Sequence, residues 1–281
     1  MSIQEPTCGN LANLALAQGH FNVVNAMVTM YGLESVRDDV THSGCTLAHQ
    51  AVACGNVENI RRVADMFGAE FMCRPNHDGI TPGHSAIMFG RDDDAVLVLD
   101  ALHSISAQTL MGREYDAGFT PMHFCAVYGR VRRLEKLHDL QYQLNDVSTC
   151  GLNLAHIACG RGKLEILQLL VNRGAGALLN VAEPVHNWYP IHYAARTGSS
   201  LCIKFITDLL GSDACHVKDR EGYNIAHIAT RNNHWAVLKW LVENGHTSLL
   251  HERSNIGTKP IEMLTDGSRN HEQIKDFIQS N

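Results

Sequence analysis

The sequence predicts an all-α solenoid of about eight stacked helix-turn-helix repeats, and three observations carry that reading. A six-residue word recurs about every 35 residues. Columns of small, apolar and glycine residues run in register with it. Helix-start residues stand at the same letter in most copies. A fixed period of roughly 20–50 residues marks a stacked array, because one unit cannot bury its apolar face without neighbours.

The word reads Gly-Cys-Thr-Leu-Ala-His at residues 44–49, Gly-Ile-Thr-Pro-Gly-His at 79–84 and Gly-Phe-Thr-Pro-Met-His at 118–123. It continues as Gly-Leu-Asn-Leu-Ala-His at 151–156, Asn-Trp-Tyr-Pro-Ile-His at 187–192 and Gly-Tyr-Asn-Ile-Ala-His at 222–227. A variant ending in Glu262 occupies 257–262, and a worn copy lies at 8–13. The copies run over residues 8–43, 44–78, 79–117, 118–150, 151–186, 187–221, 222–256 and 257–281, as a single domain spanning 1–281.

Each unit is predicted element by element. Thr46, Thr81, Thr120, Asn153 and Asn224 sit where a first helix needs a cap. Pro82, Pro121, Pro190 and Pro260 follow at the first helical position, where the missing N–H costs nothing. Two residues after the sixth letter stands a small residue, Ala15, Ala51, Ala86, Cys125, Ala158, Ala194 or Ala229, which lets helices approach closely. Six residues after it, Gly19, Gly55, Gly90, Gly129, Gly162, Gly198 or Asn233 stops the helix in a left-handed conformation. A second helix carries two apolar columns three residues apart, such as Ile60 with Val63 and Leu167 with Leu170, on one face. The spacing from copy three to copy four is 39 residues, so extra residues fall within 104–115 and are expected as a longer loop. Ile274, Phe277 and Ile278 form an apolar stripe that can close the last repeat as a helix.

These letters resemble the ankyrin-repeat family, in which Gly-x-Thr-Pro-Leu-His-x-Ala-Ala is followed by a Gly stop; the match covers roughly residues 8 to 264. Copy one lacks the Thr and the His, copy six has Asn187 and Tyr189, and copy eight has Glu262 for His, so the outer copies read as caps with a water-tolerant face. The resemblance implies that the word's histidine bonds around its own turn and the neighbouring repeat. It also implies a concave binding side built from turn tips and the ends of the first helices.

Composition removes several function classes. The net charge is −6 and there is no Lys/Arg run beyond Arg61-Arg62 and residues 130–133, which argues against a nucleic-acid partner. No apolar run reaches membrane-spanning length, so no membrane insertion is expected. The first nine residues lack a basic and then apolar leader pattern. The nine cysteines are odd in number and contain no Cys-x-x-Cys; they read as free thiols, several buried, of a reducing cytoplasmic compartment.

Seventeen histidines could suggest a metal centre, but six of them are the repeat letter itself and are separated along the array. No metal-binding spacing such as His-Glu-x-x-His occurs, and neither metal nor cofactor is expected. A Cys/His nucleophile fails similarly: Cys125 follows His123 at a spacing that turns it away, and Cys159 lacks a third group to orient His156. Gly160-Arg161-Gly162 reads as a helix stop rather than a phosphate loop, and Trp235 and Trp240 as packing on a second helix.

Carried over position by position, the concave side takes His42, Ser43, Cys45, Ala53 and Cys54 from copy two, and Val185, His186, Trp188, Arg196 and Thr197 from copy six. Copy seven adds Arg220, Glu221, Tyr223, Arg231 and Asn232. Along copies three to seven the row Met88, Phe89, Phe119, Tyr128, Arg161, Trp188, Arg196, Tyr223 and Arg231 mixes aromatics with arginines, the types that dominate binding hot spots. The expected function is a non-enzymatic, monomeric scaffold or adaptor that holds a protein or peptide in this groove, with no small-molecule substrate. Two other readings are a secreted effector, or regulatory arm of a larger protein, acting in a host cytosol, and a Cys-dependent hydrolase.

Overall fold

A computed structural model of the chain describes residues 11–89, 92–264 and 271–280. Cys8 at the start of copy one, the expected stop Gly90 and residues 265–270 lie outside the described residues. Among the described residues every regular element is helical. The α-helices are α1 (Leu11–Ala17), α2 (Phe21–Tyr31), α3 (Leu33–Arg37), α4 (Leu47–Ala53), α5 (Val57–Phe67), α6 (Pro82–Met88), α7 (Asp92–Ile105) and α8 (Pro121–Tyr128). They continue with α9 (Val131–Asp139), α10 (Leu154–Gly160), α11 (Leu164–Asn172), α12 (Pro190–Thr197), α13 (Ser200–Leu210), α14 (Ile225–Arg231), α15 (Trp235–Glu243) and α16 (His271–Ser280). Short 3₁₀ turns punctuate the loops.

The chain divides into two compact units, Met1–Cys125 with Arg132–Tyr142, and Ala126–Val131 with Gln143–Asn281. In the first, α4 packs between α1 and α6, and α5 packs on α7. In the second, α12 packs between α10 and α14, α14 meets the 3₁₀ turn Pro260–Met263, and α13 lies against α11 and α15. The fold is thus an ankyrin-type array of stacked helix-turn-helix repeats.

The predicted columns supply the core. The small column from Ala15 to Ala229 is buried in all seven copies, and the apolar residues Ile60, Leu134, Leu167, Ile203 and Leu238 have no exposed surface. Each such Leu or Ile contributes about 1.5–3 kcal/mol by leaving water. The stops are left-handed as expected, with φ of 73° at Gly55, 62° at Gly162, 76° at Gly198 and 59° at Asn233. Ile274 and Ile278 on α16 are buried, and Phe277 meets the Trp235 ring edge-on at 4.5 Å.

Two expectations are corrected. The extra residues of copy three lengthen a helix: α7 has 14 residues against 11 in α5, and a 3₁₀ turn at Ala107–Leu110 follows. That turn lays the Thr109 carbonyl on Gly83, where any Cβ would collide, so glycine at this letter of the word admits the insertion. In copy eight the first helix is only the 3₁₀ turn Pro260–Met263.

The repeat histidines do the clasping. Nδ1 of His49, His84, His123, His156, His192 and His227 accepts the backbone N–H of the residue three before it, at 3.1, 3.1, 3.1, 3.2, 3.0 and 3.3 Å. An accepting Nδ1 leaves the proton on Nε2. Nε2–H then donates to the next turn: His49 to Ile80 O at 2.8 Å, His84 to Phe119 O at 2.8 Å, His156 to Trp188 O at 3.0 Å and His227 to Thr258 O at 2.9 Å. Glu262, which replaces the histidine in copy eight, accepts Lys259 N–H at 2.9 Å.

Arg133 is a second fastening, inside the first unit. Its side chain is fully buried, and Nη1 donates to the carbonyls of Ala86 at 3.1 Å, Phe89 at 3.0 Å and Ile87. A cation here closes the C-terminal end of α6, where four carbonyls lack helical partners and the dipole is negative. Arg133→Met should remove this cap and cost about 2–4 kcal/mol, read as a lower urea midpoint with an unchanged far-UV spectrum.

The clasping geometry needs neutral rings, so stability should depend on pH. Burial holds His84, His156 and His192 at about 4, against neighbouring carbonyls and carboxylates that favour the charged form. His49 and His227 shift downward for the same first reason. Above the ordinary value of 6.5 these rings are neutral folded and unfolded, and pH has no effect through them. Between there and about 4 the unfolded chain binds protons that the folded chain refuses. Each such histidine then removes up to about 1.4 kcal/mol of stability per pH unit. The urea midpoint should fall steadily from pH 6.5 to 4.5, and a flat midpoint would show that the rings are not held neutral.

Candidate functional site

The candidate site begins with the turns. In every copy from two to eight, a polar side chain before the word accepts the N–H of the word's second residue. Thr41 serves Cys45, Asn76 serves Ile80, Glu114 serves Phe119, Ser148 serves Leu152, Glu183 serves Trp188, Asp219 serves Tyr223 and Ser254 serves Thr258. Glu183 also takes Val185 N–H at 2.7 Å and His186 N–H at 2.9 Å. Burial alone would push its carboxyl up, but these three donors outweigh it and hold it below the usual carboxylate range. Neighbouring turns join through backbone bonds, Arg220 N to His186 O at 2.9 Å and Asn255 N to Glu221 O at 3.0 Å. Gly222 has φ 80°, and a Cβ on it would strike Asn255, so this position requires glycine. Asn187, at φ 61°, fills the same place in copy six and donates to Lys218 O.

These turns form one wall of a cleft of about 580 Å³ in the second unit. Val185, His186, Trp188, Asp219, Arg220, Glu221 and Tyr223 come from the turns; Arg196, Ile228, Arg231 and Asn232 come from the ends of α12 and α14, and Met263 lies at one end. The structure thus brings together four residues of the predicted row, Trp188, Arg196, Tyr223 and Arg231. Their rings are half-buried, each lying over the histidine of its own word: Trp188 on His192 at 6.0 Å and Tyr223 on His227 at 5.3 Å. Trp188 Nε1–H donates to Asp219 Oδ2 at 3.0 Å, which fixes the indole plane.

The other predicted residues are distributed differently. Arg161 ends α10 and is exposed, one repeat before Arg196 and outside this cleft. Tyr128 is 45 % exposed. In the first unit, Phe119 stacks on His123 at 5.5 Å, and Met88 is half-buried. Phe89 is 51 % exposed and belongs to a separate cleft of about 740 Å³ with Leu14, Ala17, His42, Cys45 and Ala53. This cleft involves copies one to three, earlier in the chain than the predicted row. The acceptors Glu183 and Asp219 and the lining residues Ile228 and Met263 were missed by sequence reading; the signal for the acceptors was a polar residue three or four positions before each word.

Among the described residues Cys45, Cys54, Cys73, Cys125, Cys150, Cys159, Cys202 and Cys215 are not in disulfides. Cys159 has no exposed surface, and burial, followed by its contact with Cys202, pushes its thiol well above the ordinary value, opposite to what a thiolate nucleophile needs. Among the described residues no group of three or more His, Cys, Asp or Glu is placed to hold a metal ion. Among them no helix is long and apolar enough to cross a membrane.

An array clasped turn to turn by histidines, with a cleft between turn tips and helix ends, defines a class, and the chain carries ankyrin repeats. Residues 122–215 and 155–250 match the family model described as ankyrin repeats in three copies. Over 212 residues the chain is 24% identical to a protein named probable 26S proteasome regulatory subunit p28, from Saccharomyces cerevisiae, covering 75% of this chain and 87% of that one. It is 28% identical over 210 residues to ankyrin repeat protein nuc-2 of Neurospora crassa, covering 74% of this chain and 18% of that protein. The crystal structure of the ankyrin repeat domain of Bcl-3 shares the fold, with a TM-score of 0.61 at 20% identity, over 85% of this chain and 100% of that one. The class of function that the family and these relatives support is a protein–protein interaction module.

Asp219→Ala should leave the N–H groups of Glu221 and Tyr223 and the Trp188 indole without acceptors. The expected outcome is a loss of about 2 kcal/mol and faster hydrogen exchange at the Tyr223 amide, with Asp219→Asn intermediate. Unchanged exchange in the alanine variant would remove Asp219 from the turn's support.

Proposed function

We propose that the protein is a non-enzymatic scaffold or adaptor that holds a protein partner in the cleft of the second unit. The observation that carries this reading is the pair of rings, Trp188 and Tyr223, kept half-exposed beside Arg196 and Arg231 in one concavity. Rings fixed from behind by histidine and Asp219 present apolar surface at little ordering cost, and aromatic and arginine side chains are the commonest hot-spot types. Among the described residues the cysteines form no disulfide, which supports a working place in a reducing compartment.

Trp188→Ala with Tyr223→Ala should lower partner capture by about 30-fold or more, since one hot-spot truncation is worth about 2 kcal/mol. A thermal melt accompanies it to show that the variant folds. A photo-crosslinking residue at Asn232, on the cleft wall, should trap a partner, while one at the exposed Leu201 should not. Unchanged capture by the folded double variant, or trapping from 201 and not 232, would overturn the proposal.

A further inference from the structure

We infer that the cleft's partner is an extended acidic segment whose carboxylates recur at every third residue; this rests on the protein-binding reading above and names the partner's chemistry. The inference starts from a row of arginines. Arg161, Arg196 and Arg231 stand at the C-terminal ends of α10, α12 and α14, one per successive copy. All three are exposed. Among the described residues no carboxylate forms an ion pair with any of them, in a chain with 29 acidic residues against 23 basic ones. Three lysines of this unit are paired, Lys204 with Asp208, Lys218 with Glu252 and Lys239 with Glu243, whereas among the described residues Lys163 and Lys259, like the row, form no ion pair.

The opposite wall carries the carboxylates Asp219 and Glu221, but neither forms an ion pair with the row. Asp219 has both oxygens engaged, Oδ1 by the N–H groups of Glu221 and Tyr223, and Oδ2 by Trp188. Glu183 is committed to three N–H groups. Glu221 remains on the turn wall, near Arg220, whose Nη2 donates to Pro184 O at 2.8 Å. The helix-end wall is therefore cationic, with the Trp188 and Tyr223 rings beside it.

The repeat sets the spacing. α12 packs directly on α10 and on α14. Packed helices lie about 8–10 Å apart, and a chain extended as polyproline II advances about 3.1 Å per residue with about three residues per turn, so every third side chain returns to the same face. One step of the array thus matches about three residues of a peptide laid across it. A carboxylate at positions i, i+3 and i+6 meets one guanidinium each, in the planar two-pronged geometry that arginine offers. An apolar side chain between them falls on Trp188 or Tyr223. A compact acidic cluster cannot engage three steps at once.

Synthetic twelve-residue peptides test this by fluorescence anisotropy. One carries Glu at positions 1, 4 and 7 with Leu at 5. A second has the same composition with Glu at 1, 2 and 3. A third is the first with phosphoserine for Glu, and a fourth with Gln for Glu. The first should bind at least tenfold tighter than the second and the fourth. Arg196→Gln with Arg231→Gln should abolish the difference, and higher salt should shrink it. Equal binding of the first two peptides would overturn the inference, as would binding of the phosphoserine peptide alone, which would assign the row to phosphate. If no peptide binds while Asn232 still crosslinks a protein, the acidic register falls and the interaction reading stands. Failure of that crosslink removes the reading itself.

Discussion

The structure depends on one imidazole in each copy that accepts on one side and donates on the other. Nδ1 takes the N–H that opens its own helix, and in four copies Nε2–H reaches the carbonyl of the following turn. Only the neutral ring can do both. The ring therefore has to be buried, and the small column two residues on lets the helices close over it. Substitutions that keep the accepting atom are tolerated. Tyr189 has no capping hydroxyl near the helix start, but its backbone N–H still meets His192 Nδ1. Glu262 accepts at the same place without a ring.

The turns are organised by a second set of acceptors, and this set shapes the cleft. Each turn's inward N–H groups are spent on a side chain three or four residues before the word, so its tip holds a fixed outline. In the second unit the same carboxylate that folds one turn, Asp219, also orients the indole of the turn before it. The aromatic surface of the cleft and the architecture of its wall thus share one residue. The arginines at the helix ends have no such internal duty and remain available to whatever enters.

Much of this was legible because it repeats. The caps, the left-handed stops and the buried columns follow from residue types at fixed intervals, and Asn233 could be read as a stop because asparagine tolerates a positive φ. The longer α7 was misread as a loop because its cause is tertiary: the approach of Thr109 to Gly83 has no local signature. Arg133 sits in the basic run 130–133, and nothing local marks that its guanidinium is sealed in the interior. The acceptor column escaped because its chemistry changes from copy to copy and its position shifts. Thr41, Asn76, Ser148, Asp219 and Ser254 stand three residues before the word, whereas Glu114 and Glu183 stand four before it. The longer glutamate side chain spans the additional residue. As for the row of nine site residues, the periodicity placed it on turn tips and helix ends. It could not reveal that Phe119, Trp188 and Tyr223 each meet the histidine of their own word.

The rigid turn tips have a kinetic corollary. A wall whose donors are already satisfied does not rearrange when a visitor arrives, so productive encounters need no slow adjustment of the host. Variation among visitors then resides chiefly in how long each complex survives, not in how quickly it assembles. For the partner proposed above, residence time is accordingly the quantity that would separate one binding sequence from another.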